Sequence, residues 1–154
     1  MNETQIRPAN SSDVAAIKAL VEDAYAHYVE RLGRRPAPMT TDYSQLVQNG
    51  NVWCLVLGED LCGLVVLRKE VDHILVSNIA VAKNRQGQGF GRQLLDYADL
   101  VARSDNIEEL RLYTNELIHE NLSFYARLGW EEYDRAEKDG YRRVFMRKRL
   151  LLSP

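Results

Sequence analysis

The chain has 154 residues, 45% of them hydrophobic and 27% charged. Those values suit one globular domain, residues 1–154, with a full core and no need of a disulfide or metal staple. The 20 Lys plus Arg stand against 22 Asp plus Glu, a net charge of -2, which argues against a general nucleic-acid binder or a polybasic membrane-surface module.

The longest strongly apolar run, Val52 to Leu57, is far too short to span a bilayer. The first residues, Met1 to Gln5, lack the cationic and apolar regions of a secretory leader. A cytoplasmic location is therefore expected, with Cys54 and Cys62 reduced.

Thr4 to Pro8 reads as a short strand. Asn10, Ser11 and Ser12 offer N-cap oxygens. Val14, Ile17, Leu20, Val21, Ala24, Tyr25 and Tyr28 then recur at spacings of three and four, which predicts a helix to about Arg31 with Gly33 as its stop. Arg34 to Met39 contains two prolines and reads as a stiff loop. Asp42 to Gln48 predicts a short second helix. Val52 to Leu57 and Leu61 to Lys69 form a hairpin around Gly58-Glu59-Asp60. Asp72 to Val81 is a third strand. A polar loop, Ala82 to Gln88, precedes a helix to about Ser104. Glu109 to Thr114 alternates at period two and reads as a strand. Asn121 to Leu128 is a short helix stopped by Gly129. Trp130 to Ala136 and Tyr141 to Leu150 close the chain as a hairpin around Lys138-Asp139-Gly140. This order predicts an α/β (α+β) fold: a mixed, mostly antiparallel sheet of about seven strands with helices on both faces.

Three of the 9 glycines, Gly87, Gly89 and Gly91, crowd the turn between the third strand and the helix that follows. Glycine lets backbone approach a ligand closely. The first amides of a helix lack intrahelical partners, and the helix dipole favours an anion there. A triphosphatase loop would need Gly-Lys-Ser/Thr, whereas Gly91 is followed by Arg92-Gln93; a dinucleotide fingerprint would need a glycine at Arg92. A phosphate site and a ligand-free tight turn are the two readings of these residues alone.

Gln86-x-x-Gly89-x-Gly91 matches the Gln/Arg-x-x-Gly-x-Gly/Ala signature of the GNAT superfamily of N-acetyltransferases. Ile79-Ala80-Val81 resembles that family's strand leading into the turn. Asn121 to Trp130, with Tyr125 and Gly129-Trp130, resembles its block ending in Tyr-x-x-x-Gly-aromatic. The resemblance covers nearly the whole chain, and the element order is that family's order. It implies acetyl transfer from acetyl-CoA (coenzyme A) to a primary amine, by direct transfer without a covalent acyl-enzyme.

The resemblance also assigns roles. The amides of Gln88, Gly89, Gly91 and Arg92 would hold the pyrophosphate, with Gln86 and Gly87 shaping the turn. The backbone of Ile79, Ala80 and Val81 would pair with the pantetheine arm, in a cleft that the family opens by splaying this strand from the next. Asn121 would contact the cofactor, and Tyr125 would protonate the leaving thiolate. Two positions depart from the family pattern: Ile118 stands where an asparagine is common, and Asn121 where a small residue is common.

The acceptor would lie under the first helix and the following loop, where Tyr25, Tyr28, Arg34, Arg35, Met39 and Tyr43 are candidates. Arg34 and Arg35 could grip a substrate carboxylate; a solvated basic loop is the plainer reading. Asp72, His73, Glu116, His119, or a water relayed by Ser77, Asn78 or a backbone carbonyl could take the amine's proton, and no base is singled out. The basic run Arg142, Arg143, Arg147, Lys148 and Arg149 reads as a solvated strand face. With only His27, His73 and His119 and no Cys-x-x-Cys pair, no metal is expected. The expected partner is a small-molecule or peptide amine, with no nucleic acid and no membrane; the oligomeric state is open, a homodimer included. The alternative is a non-catalytic acyl-CoA-binding sensor or interaction module on the same fold.

Overall fold

The chain runs through β1 (Thr4–Pro8), α1 (Val14–Leu32), α2 (Tyr43–Gln48), β2 (Val52–Leu57), β3 (Asp60–Lys69), β4 (Ile74–Val81) and α3 (Phe90–Ser104). It ends with β5 (Glu109–Asn115), α4 (His119–Arg127), β6 (Glu131–Lys138) and β7 (Tyr141–Arg149). These elements come from a computed structural model that describes residues 3–150. Short 3-10 turns occupy Ser11–Asp13, Ala37–Thr40 and Lys83–Arg85. The seven strands form one mixed sheet in the order β1-β2-β3-β4-β5-β7-β6. The pairs β1–β2, β2–β3, β5–β7 and β6–β7 are antiparallel, and β4–β5 is parallel.

The chain divides into two units. The first takes the residues through Leu67 together with Asn78–Tyr97; the second takes Arg68–Ser77 and the residues from Ala98 onward.

In the first unit, α1 buries Ile17, Leu20, Val21 and Ala24. They join Tyr43 and Val47 of α2, and Cys54, Val56, Leu64, Val66 and Ala80 of the strands, in one apolar cluster. Each valine, leucine or isoleucine among them contributes about 1.5–3 kcal/mol when fully buried. The start of α1 is fixed by polar contacts. Asn10 Oδ1 accepts from the Ser12 amide, and Asp13 Oδ2 accepts from the Asn10 amide at 2.8 Å. Arg7 holds the same Asp13 carboxylate through two bonds, 2.8 and 2.9 Å, which ties the end of β1 to the helix start. Gly33 ends α1 in the left-handed region at φ +73°, as expected. Asp42 caps α2 through the Gln45 amide.

Gly63, in β3, has a structural duty that its sequence position does not announce. A Cβ there would lie 2.9 Å from the Ala80 carbonyl oxygen and 3.1 Å from Leu94 Cδ1. The missing side chain lets β4 and α3 close onto β3.

In the second unit, β7 lies between β5 and β6. Asp139 and Gly140 both take positive φ, 57° and 81°, and turn the β6–β7 hairpin. Every residue of β6 is exposed. Its register shifts between Glu132 and Asp134, a bulge suited to an edge strand. The cations of β7 all have acidic partners: Arg142 with Glu116 (2.8 Å), Arg143 with Asp139 (3.8 Å), Arg147 with Glu131 (2.9 Å), Lys148 with Asp99 (2.8 Å) and Arg149 with Glu109 (3.7 Å). Arg143 is buried and stacks over the Tyr113 ring at 4.3 Å.

Some boundaries differ from expectation. β4 begins at Ile74 rather than Asp72, because Asp72 turns its carboxylate onto His73 Nδ1 and the Glu70 amide bonds the His73 carbonyl. Those contacts make a turn of residues expected to extend. α4 begins at His119 rather than Asn121. Asn115 Oδ1 accepts from the Leu117 amide, so the helix is approached through an Asx turn and not through a side-chain cap. The loop expected over Ala82 to Gln88 contains a helical turn, closed by the Arg85 amide on the Ala82 carbonyl.

Candidate functional site

The glycine-bearing turn leads into α3. Gly87 and Gly89 stand at φ +82° and +83°, and a Cβ at either would meet nothing within 4 Å. Glycine is therefore needed for backbone conformation, and the space beside the turn is open. The Gln93 amide bonds the Gly89 carbonyl at 3.1 Å and begins the helical ladder, so the amides just before it lie at the positively polarised helix end. Gln86, Gln88 and Arg92 are exposed. Arg85 is drawn to Asp60 at 3.1 Å. Open backbone, a helix dipole and polar neighbours fit a phosphate.

The Gln86 side chain folds back to donate to the Val81 carbonyl at 3.3 Å. This brings the expected turn and strand residues together. The β4–β5 ladder covers Ile74–Val76 on β4 and Leu110–Leu112 on β5. The strand residues beyond it include Ile79, Ala80 and Val81. Ala80 is buried, while Ile79 and Val81 are half-buried, so two of the three residues assigned to the pantetheine arm share the more open face.

Of the acceptor candidates, Tyr25 reaches β4 directly. Its hydroxyl donates to Asn78 Oδ1 at 3.0 Å and to the Ile79 carbonyl at 3.2 Å. Tyr28 stacks beside Tyr25 at 6.0 Å, with Arg31 over its ring. Met39 lines a cleft of about 200 Å³ together with Lys18, Val21, Glu22, Thr40, Thr41 and Tyr43. Arg35 does not present an empty fork. Its guanidinium grips Glu22 through two bonds, 3.0 and 2.7 Å, and the arginine holds that carboxyl below the usual carboxylate range.

Tyr43, also on the acceptor side, is 2% exposed. Its hydroxyl donates to the Pro38 carbonyl at 2.7 Å and accepts from Asn78 Nδ2 at 2.8 Å. Burial pushes this phenol well above its ordinary value, so it stays protonated. Neither the Asn78 contacts nor the Gly63 packing is visible in the sequence. A polar residue at an otherwise apolar strand position is the one sequence signal for Asn78.

Tyr125 and Asn121 lie one helical turn apart on α4, in the second unit. Tyr125 is buried, with its ring against Phe124 and Trp130 at 5.5 and 6.0 Å. The Leu128 and Trp130 amides both bond its carbonyl, and the Asn121 amide bonds that of Ile118. All four candidate bases have a charged or hydrogen-bonding side chain beside them. Asp72 is paired with His73 at 2.8 Å and with Arg111 at 3.8 Å, and its carboxyl is lowered, chiefly by the His73 bond. His73 stands just before β4, at the opposite end of that strand from Ile79–Val81. Glu116 is held by Arg142 and Arg135, and exposed His119 lies 3.8 Å from Glu120. Among the described residues, no cluster of three or more His, Cys, Asp or Glu could hold a metal, and no helix is long and apolar enough to cross a membrane.

The family model described as "Acetyltransferase (GNAT) domain" matches residues 48–132. Mouse N-alpha-acetyltransferase 80 is 38% identical over 58 residues, a stretch covering 38% of this chain and 17% of the mouse protein. The chain thus spans well under two thirds of that relative's length. The solved PaiA N-acetyltransferase of Thermoplasma acidophilum, in complex with coenzyme A, superposes with a TM-score of 0.77 at 18% identity, covering 96% of this chain and 99% of that one. The ribosomal-protein-S18-alanine N-acetyltransferase of Escherichia coli gives 0.77 at 18% identity, covering 99% and 97%. These structural likenesses concern the fold.

Proposed function

Because this chain belongs to the GNAT superfamily of acetyltransferases, and is thus an acetyl-CoA-dependent acyltransferase, we propose that it acetylates a primary amine by direct transfer in a ternary complex. The observation that carries this is the open, glycine-built turn at the head of α3, joined to the end of β4 by Gln86. We read residues 1–154 as one N-acetyltransferase domain; the family match at 48–132 runs through segments of both units.

Bound acetyl-CoA supplies the activated thioester; the chain supplies position and protons. The amides of Gln88, Gly89, Gly91 and Arg92 hold the pyrophosphate, as backbone donors at a helix start do. Ile79, Ala80 and Val81 offer strand backbone to the pantetheine arm. Asn121 adds a polar contact. Tyr125 would donate its phenolic proton to the departing sulfur, a free phenol having a pKa near ~10.

Tyr25, Tyr28, Met39 and the cleft beside Glu22 form the acceptor side. Arg35 takes a substrate carboxylate only by exchanging it for Glu22, so an amine without a carboxylate suits this side better. An alkylamine arrives mostly as ammonium, with a pKa near ~10, and must lose its proton before attack.

The test follows free thiol release from acetyl-CoA with the full chain and a panel of primary amines: a polyamine, a free amino acid and a peptide N-terminus. Amine-dependent release is expected. Tyr125→Phe should lower kcat by about a hundredfold with the Kd for coenzyme A within twofold. An unchanged kcat removes Tyr125 from the mechanism, and release that no amine accelerates overturns the proposal.

A further inference from the structure

One side-chain amide in the first unit gathers three segments. Asn78 lies in β4 on the same face as Ile74, Val76 and Ala80, all three buried and apolar. A polar side chain there is costly unless its hydrogen-bonding groups are met. Asn78 meets them at both ends. Its oxygen accepts from Tyr25 of α1, and its nitrogen donates to Tyr43 of α2. Tyr43 passes the chain of bonds to the Pro38 carbonyl, in the segment between the two helices. Tyr25 also touches the carbonyl of Ile79, the next residue of β4.

We infer that Asn78 is a positioning residue for acyl transfer: through Tyr25 and Tyr43 it fixes α1 and the Pro38–Tyr43 segment against β4, so that the acceptor is held in register with the strand that offers its backbone to the cofactor. The inference rests on the acetyltransferase reading above and adds to it the part that aligns the two substrates. Nothing in the strut needs to gain or lose a proton. Its value is geometric, because acyl transfer needs the nucleophile held within about 3–3.5 Å of the carbonyl carbon and correctly aimed. A loosened acceptor segment costs that alignment while the pyrophosphate turn continues to hold the cofactor.

Asn78→Ala removes both bonds at once. Tyr43→Phe keeps the buried ring and removes only the hydroxyl, with its Asn78, Pro38 and Thr41 contacts, so it serves if the alanine variant folds poorly. Three measurements on the full chain are paired: calorimetry with coenzyme A, amide hydrogen exchange over residues 37–48, and steady-state kinetics with the best amine of the panel. Both variants should bind coenzyme A within twofold of the parent and exchange at least threefold faster over 37–48. Their acceptor KM should rise about tenfold. A merely structural asparagine would lower the melting temperature without separating acceptor KM from coenzyme A affinity.

Unchanged exchange over 37–48 in both variants overturns the strut and leaves the acetyltransferase assignment standing. So does an acceptor KM that stays put, or that moves by the same factor as the coenzyme A Kd. A parent chain that fails to bind coenzyme A, or that no amine accelerates, overturns the proposed function itself.

Discussion

Residues 83–92 carry three cations, Lys83, Arg85 and Arg92, whereas β7 carries five. Counting charge alone would put the anion site on β7. The ion pairing argues against that count. Each β7 cation is matched by a carboxylate of the second unit, so the strand's charge is locally neutralised. Around the turn, Arg85 is drawn to Asp60, and backbone at Gly87 and Gly89 faces open space beside exposed Lys83 and Arg92. Oriented amides offer an anion a fixed partial charge that does not depend on net charge. A chain with a net charge of -2 can therefore still hold a strongly anionic cofactor.

Substitutions in the two regions should separate these roles. The largest effect is expected at the turn. Gly89→Val puts a β-branched residue at φ +83°, where such residues are genuine outliers. Calorimetry should show the Kd for coenzyme A rising more than tenfold, about 1.4 kcal/mol or more. Unchanged affinity would mean that the turn is not the phosphate holder.

Gly63→Ala tests whether the backbone-built region also depends on close packing behind it. The added methyl would press on the Ala80 carbonyl at 2.9 Å, a backbone atom that cannot swing away. Overpacking of this kind costs about 1–3 kcal/mol, read as a lower urea midpoint.

Asp13→Asn asks whether any ion pair here matters as much as the backbone. Asp13 is 15% exposed and is gripped by Arg7 through two bonds, so about 1–2 kcal/mol is expected from urea unfolding, the range of a lost cap. The bond from Arg7 holds the Asp13 carboxyl below its ordinary value. Its contribution is therefore fully present above the unfolded carboxylate pKa and fades as pH falls through the lower folded value. Between pH 5 and 2 the parent should lose stability that Asp13→Asn has already lost.

The smallest effect is expected at β7. Arg147→Gln removes one partly exposed pair with Glu131, worth at most about 1 kcal/mol. Coenzyme A affinity should not move beyond twofold; a large loss would return β7 to the binding surface.

The sequence made local features legible. β2 ends where expected because an apolar run is bounded by turn residues at both ends, and Gly33 stops α1 because φ +73° asks for glycine. The glycine turn announced itself for the same reason. Contacts distant in sequence were not legible. Glu22 and Arg35 are 13 positions apart, and Tyr25 and Asn78 are 53 apart. Periodicity gives no sign that the first pair closes an arginine fork or that the second joins a helix to a strand. Gly63 reads as an ordinary strand residue, because the Ala80 and Leu94 atoms that require it are distant in sequence. The start of α4 at His119, ahead of Asn121, has no cap signature because an Asx turn at Asn115 leads into the helix.

Cys54 and Cys62, the chain's two cysteines, are both free and 0% exposed. Burial pushes the Cys54 thiol up to about 11, and only a thiolate attacks a chromogenic disulfide quickly. Near neutral pH the folded protein should therefore be nearly silent toward such a reagent, and the sulfhydryl that develops colour will be the one released from the cofactor. Unfolding exposes both cysteines, so the same reagent that counts turnovers also reports when the enzyme has come apart.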